Sequence, residues 1–185
     1  MRFLILHGWQ GSGPEHWQTW LAGRLRERGE EVSYPELPDP DEPKLDDWLS
    51  VFDEHLARPE GLVVLCHSLA CIVWLHRARH AEGGPVERVL LVAPPSAVVD
   101  TMGMPGFFPL HTAPADVARA AHSTLLVHSD DDPYCPEGAG ALYAEPLGIP
   151  DELLPGAGHI NTDAGYGPWP ALERWCLGEG DGLLS

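Results

Sequence analysis

The stretch Leu62-Val63-Val64-Leu65-Cys66-His67-Ser68-Leu69-Ala70-Cys71-Ile72-Val73 constrains this chain more than any other. A continuous apolar run of strand length ends at one polar pair, and a second apolar run begins at once. A strand covered on both faces reads this way, because neither side meets water. The following helix is apolar nearly all round, so it too lies centrally. The backbone must therefore reverse within the pair His67-Ser68. Strand and helix nearly touch at such a turn, which demands small residues two before and two after its apex. Cys66 and Ala70 occupy those positions. At the apex, Ser68 projects from the top of the sheet beside a helix N-terminus, where negative charge is stabilised.

The rest of the chain supplies the sheet that such a turn needs. Strand candidates lie at residues 3–6, 31–34, 62–66, 88–92, 124–128 and 152–154, and helical patterns alternate with them. That alternation predicts a parallel sheet with helices on both faces. The segment at 31–34 is short and polar, as an edge strand is. Trp17, Trp20, Leu21 and Leu25 fall on one helical face, which Pro14 can open and Gly29 can close. Leu45, Trp48, Leu49, Phe52 and Leu56 repeat the pattern. At this spacing the tryptophans belong to the core rather than to a ligand cage. Weaker helices are expected at 136–144 and 168–177, and an irregular stretch at 94–114. The 185 residues, 44% of them apolar, suffice for one domain at 1–177, followed by a flexible tail at 178–185.

Charge narrows the function classes. Eleven Lys+Arg against 28 Asp+Glu give a net −17. Such a surface repels nucleic acid and anionic membranes, so neither is expected as a partner. No apolar run reaches a membrane span or a signal peptide. Cys66, Cys71, Cys135 and Cys176 form no C-x-x-C pair, which predicts reduced, buried thiols and a cytoplasmic location. No metal site is expected.

Ser68 at the apex matches a nucleophile elbow, G-x-S-x-G with Cys66 and Ala70 in the glycine places. A Ser at that point also makes an ordinary helix cap. What separates the two readings is a base and an acid in the right order, each on a loop after a strand. The strand at 124–128 runs into Ser129-Asp130-Asp131-Asp132-Pro133, where Asp132 matches the acid and Asp130 and Asp131 read as solvated. After the last strand comes Pro155-Gly156-Ala157-Gly158-His159. Of ten histidines, only His159 follows the acid in a loop after a strand; His7 and His67 sit beside the site in the wrong chain order. Acyl transfer also needs donors for the developing oxyanion. The backbone N–H of Leu69 and, from the loop His7-Gly8-Trp9, that of Trp9 suit this. That loop lacks a Walker lysine and G-x-G-x-x-G, which argues against a nucleotide. The apolar segment around Phe107, Phe108 and Leu110 has no periodic element to bury it. It is expected, with Trp9, to wall a small apolar acyl pocket.

Together these pieces resemble the α/β-hydrolase superfamily. More narrowly they look like its small serine hydrolases of the retinoblastoma-binding protein nine type. The resemblance rests on H-G-W at Trp9, the Trp-rich first helix, P-D-P at 38–40, the elbow at Ser68, D-D-P at 131–133 and G-H at His159. It implies a compact domain without a large lid, a sheet in the order 2-1-3-4-5-6, and a Ser-Asp-His triad of Ser68, Asp132 and His159. It further implies a cofactor-independent, carboxylesterase-like hydrolase acting on a small ester or amide. A protein-interaction module on the same fold is the alternative. The partner in that type's name is not carried over, since Leu69-Ala70-Cys71-Ile72-Val73 lacks the Glu of L-x-C-x-E.

Overall fold

A computed structural model describes residues 1–81, 84–180 and 182–183. Its strands are β1 (Arg2–Leu6), β2 (Glu31–Ser33), β3 (Leu62–His67), β4 (Val86–Val92), β5 (Ala121–His128) and β6 (Asp151–Leu153). The helices are α1 (Trp17–Glu27), α2 (Leu45–Leu56), α3 (Leu69–Ala78), α4 (Pro114–Ala120), α5 (Glu145–Leu147) and α6 (Pro170–Leu177). All six strands pair in parallel, in the order β2-β1-β3-β4-β5-β6. This is the sheet that the sequence predicts, with its polar strand β2 at one edge.

The unbroken apolar runs are explained by two cores, one on each face of the sheet. Alternate side chains of each strand point to opposite faces. Leu4, Leu6, Val64, Cys66, Val89 and Leu91 join α2 and α3 in one core. Phe3, Ile5, Val63, Leu65, Leu90 and Val92 join α1 and α6 in the other. Trp17, Trp48 and Trp74 are fully buried in these layers, so the tryptophans serve packing. Glu173 of α6 is buried and paired with Arg24 and Arg28 at the end of α1, which ties the helices of the second face together.

Three local expectations change. Helix α1 begins at Trp17 rather than at Pro14, because the His16 side chain caps it by accepting the Gln18 N–H. The stretch 94–114 holds a 3-10 turn, Ala97–Met102, and leads straight into α4. Helix α4 buries only Val117 and Ala120, too few apolar positions to show a period. The expected tail at 178–185 is anchored at Leu183, which is buried. Its N–H donates to Glu152 Oε1 at 2.8 Å, and its carbonyl accepts from Trp169 Nε1 at 3.1 Å. Residues 181, 184 and 185 lie outside the described residues. Among those described, no helix is long and apolar enough to cross a membrane.

Candidate active site

The chain turns from β3 into α3 at Ser68, which takes φ 55°, ψ −126°. A non-glycine residue in that region is strained, and the strain persists only where its surroundings enforce it. Here they do. The Ser68 N–H donates to Val92 O at 2.9 Å, holding the turn against β4. Cys66 stands in place of the first glycine because its side chain drops into the α2–α3 core instead of toward the turn. The Ser68 hydroxyl makes no capping bond to α3. It lies 2.8 Å from His159 Nε2 instead.

His159 reaches Ser68 from the loop after β6. Its Nδ1 lies 3.0 and 2.9 Å from the two carboxylate oxygens of Asp132. The carboxylate can only accept, so Nδ1 carries the proton and Nε2 is left to accept from Ser68. Asp132 is buried and also accepts the Tyr134 N–H at 2.9 Å. Thus the structure brings Ser68, His159 and Asp132 into one hydrogen-bonded chain. Gly158, at φ +54°, makes the bend that delivers the imidazole, and a Cβ there would lie 3.1 Å from that of Ala164.

Asp130 and Asp131 are not simply solvated. The Gly156 N–H donates to Asp130 Oδ1 at 2.8 Å, and the Gly158 N–H to Asp131 Oδ1 at 2.7 Å. Ser129 Oγ accepts the Ala157 N–H at 2.8 Å and donates to Asp131. The acid loop therefore holds the backbone of the His159 loop at three successive residues. The Ser129 hydroxyl and then the Gly158 N–H hold the Asp131 carboxyl below the usual range. Asp131→Ala is expected to lower kcat/KM by about 10–100-fold, since a base displaced by an ångström loses that much. Steady-state kinetics check this, and wild-type activity would show that the loop holds itself.

On the other side of Ser68 lies the loop after β1. Gly8 passes so close that a Cβ would meet Ser68 Cβ at 2.6 Å and the His67 carbonyl at 3.1 Å, so no side chain fits there. His7 fixes this loop: it accepts the Leu37 N–H at Nε2 and donates from Nδ1 to Gly8 O at 2.8 Å. The P-D-P turn supports it too, as Pro40 O accepts the Gln10 N–H at 2.9 Å and Asp41 O accepts from Trp9 Nε1 at 3.1 Å. Among the described residues, neither the Trp9 nor the Leu69 N–H has an acceptor in the protein. Leu69 is the first residue of α3, so its N–H is one of the orphan donors of a helix start.

A cavity of about 270 Å³ opens over Ser68. Its walls differ from the expected apolar pair. Trp9 lines it, but Phe107, Phe108 and Leu110 do not. Phe107 is fully buried against Trp48, and its carbonyl accepts from His76 Nε2 at 2.8 Å. Phe108 and Leu110 line a separate apolar groove with Leu142 and Tyr143. Val99 of the 3-10 turn Ala97–Met102 and Met104 just after it line the cavity instead, while Phe107 is buried in the core and Phe108 and Leu110 line the other groove. The opposite wall is polar, with Gln10, His16 and Asn161 to Asp163. Tyr134 lies 4.4 Å from the His159 ring.

Two further histidines complete the site. His67 Nε2 donates to the His159 carbonyl at 3.0 Å, and its ring meets that of His16 edge-on, centroids 4.9 Å apart. Chain order removed His67 from the search for a base, and it carries no signal for such supporting roles. Burial drives His67 well below the ordinary imidazole range and His16 down to about 4, while His7 is lowered for the same reason. These residues fold neutral and can protonate once unfolded. Stability is therefore complete above the unfolded imidazole value of about 6.5 and falls as pH drops toward the folded values, by about 1.4 kcal/mol per pH unit for each histidine that gains a proton. Urea unfolding at pH 7 and pH 5 should show this. His16→Asn should lessen the loss by about 2 kcal/mol, and an equal loss in that variant would contradict it.

The sheet order, the elbow and the site at the carboxyl ends of the strands define an α/β-hydrolase. The profile of the family described as serine hydrolase matches residues 3–176, and the chain belongs to that family. YdeN of Bacillus subtilis (strain 168), a hydrolase by provisional name, is 25% identical over 176 residues, covering 91% of this chain and 90% of that protein. The YdeN crystal structure superposes with a TM-score of 0.85 at 22% identity, over 96% of this chain and 97% of that one. A YdeN-like protein from Pectobacterium atrosepticum gives 0.72 at 21% identity, over 95% and 88%. These matches reach the family and do not single out the retinoblastoma-binding protein nine type.

Proposed function

We propose that the protein hydrolyses a small ester, or an amide, through an acyl-enzyme on Ser68. One observation carries this reading: the hydrogen-bonded chain from Ser68 Oγ through His159 to Asp132, with Nε2 at 2.8 Å and Nδ1 at 2.9 Å. Ser68 Oγ attacks the carbonyl carbon while His159 Nε2 takes its proton. Asp132 stabilises the imidazolium. The unpaired N–H groups of Trp9 and Leu69 receive the oxyanion, and the α3 N-terminus adds its dipole. Collapse of the tetrahedral intermediate expels the leaving group, which His159 protonates. A water molecule, giving its proton to the same Nε2, then releases the acid and restores Ser68.

A cavity of about 270 Å³ suits a short acyl group. The four free, buried cysteines fit a reducing compartment. They also argue against a thiol nucleophile, since burial pushes the Cys66 thiol far up and Cys135 up to about 12. A fluorophosphonate probe tests the reading: it should label Ser68 in the folded protein. An unlabelled Ser68, with the fold intact, would favour an interaction module instead.

A further inference from the structure

We propose that His16 is a substrate-contacting specificity residue, donating a hydrogen bond from Nε2 to a neutral acceptor, a hydroxyl or carbonyl oxygen, on the substrate's leaving group. The inference rests on Ser68 and His159 acting as proposed above.

His16 is 5% exposed, yet half of its hydrogen-bonding capacity is unused. The Gln18 N–H donates to Nδ1 at 3.2 Å, which leaves the proton on Nε2. Among the described residues Nε2 has no partner, and it is not one of the fully buried unpaired atoms. It therefore keeps some exposure, and the open space that His16 borders is the cavity over Ser68. A donor unpartnered in the protein and open to a cavity is free to pair with a ligand that displaces water there. The ring cannot turn away, because its other nitrogen caps α1.

The side of the cavity is set by contact. The His16 ring meets that of His67 edge-on, centroids 4.9 Å apart, and His67 lies 5.1 Å from His159. Trp17 Nε1 donates to Ile160 O at 3.0 Å, which fastens the start of α1 to the His159 loop. His16 thus lies next to the loop of the base that protonates the leaving group, and it lines the cavity together with Asn161 of that loop. Val99, Met104 and Pro95 are the apolar part of the lining, and the Ser96 N–H to Tyr134 O bond of 2.8 Å ties their segment to the acid loop. On this assignment the polar part of the lining takes the leaving group and the apolar part the acyl chain.

Charge decides which polar group fits. With its pKa down at about 4, His16 donates as a neutral group and offers no cation to an anion. Histidines aside, Asp163 is the charged side chain on the wall among the described residues, and it has no ion pair. A carboxylate or phosphate on the leaving group meets repulsion there, whereas a hydroxylated alcohol does not.

His16→Asn separates this role from capping, because an Asn Oδ1 can still accept the Gln18 N–H while its side chain is too short to replace Nε2. The readout is the ratio of kcat/KM for glyceryl monoacetate to that for n-butyl acetate, which share an acyl group and differ in leaving-group polarity. The wild-type ratio should exceed one by on the order of tenfold, and His16→Asn should bring it close to one. A wild-type preference for butyl acetate, or an unchanged ratio in the variant, would overturn the proposal. If both esters weaken in parallel in the variant, His16 is structural and the proposal is also wrong. Fluorophosphonate labelling of Ser68, measured alongside, distinguishes this failure from failure of the hydrolase reading.

Discussion

Ser68→Ala is expected to lower kcat on an activated neutral ester by on the order of 10⁶-fold, the loss seen when a nucleophile is removed from such a triad. The size follows from the geometry. Ser68 Oγ lies 2.8 Å from His159 Nε2 and belongs to the residue just before the unpaired Leu69 N–H. Neither nearby thiol can stand in. Cys66 is fully buried, and Cys135 has its thiol held up at about 12, chiefly by burial. The fold should survive, because the hydroxyl caps nothing in α3 and Ala meets the same strain as Ser at φ 55°. Far-UV circular dichroism and the unfolding midpoint therefore stay near wild type while turnover collapses. Retained turnover in a folded Ser68→Ala protein would remove Ser68 from the mechanism.

The fold was legible because both faces of its strands are covered. Runs such as Leu62 to Cys66 carry no alternation, and the two cores on either side of the sheet explain why. The Ser68 turn was legible for a related reason, since an apolar strand and an apolar helix cannot abut without a sharp reversal. Chain order then picked out Asp132 and His159, and the structure brings both to Ser68. What stayed hidden depends on pairings with no sequence period. Asp130 and Asp131 bond to residues 26 and 27 positions away, and a run of three carboxylates looks solvated until those N–H groups are found. The acyl wall was misread because Phe107 and Phe108 have no periodic element to locate them. Val99, on a short 3-10 turn, and Met104 just beyond it line the cavity instead. His16 was invisible as a site residue because its ring serves first as a helix cap.

Asp132→Asn is expected to lower kcat by up to about 10⁴-fold, through the tautomer of His159 rather than through lost charge alone. The Tyr134 N–H donates to Asp132 Oδ1 at 2.9 Å. An Asn at this position keeps that bond only with its own Oδ1 there, which turns its NH₂ toward His159 Nδ1. An Nδ1–H would face that NH₂ and keep only the 3.0 Å contact to the Oδ1 that already accepts from Tyr134, so the tautomer with its proton on Nε2, whose Nδ1 accepts from the NH₂, is favoured. In that form Nε2 can no longer accept from Ser68, 2.8 Å away, and the base is lost although every atom is nearly in place. Raising the pH does not restore it, because the neutral imidazole is already the wrong one. Asp131→Asn makes the control. Its side chain keeps an oxygen able to accept the Gly158 N–H and the Ser129 hydroxyl, so the loop stays braced and the loss should be no more than about tenfold. The measurement is kcat for both variants across pH 6 to 9 with a neutral ester. Equal losses in the two, or a mild loss for Asp132→Asn that alkaline pH repairs, would show that Asp132 does not set the tautomer of His159.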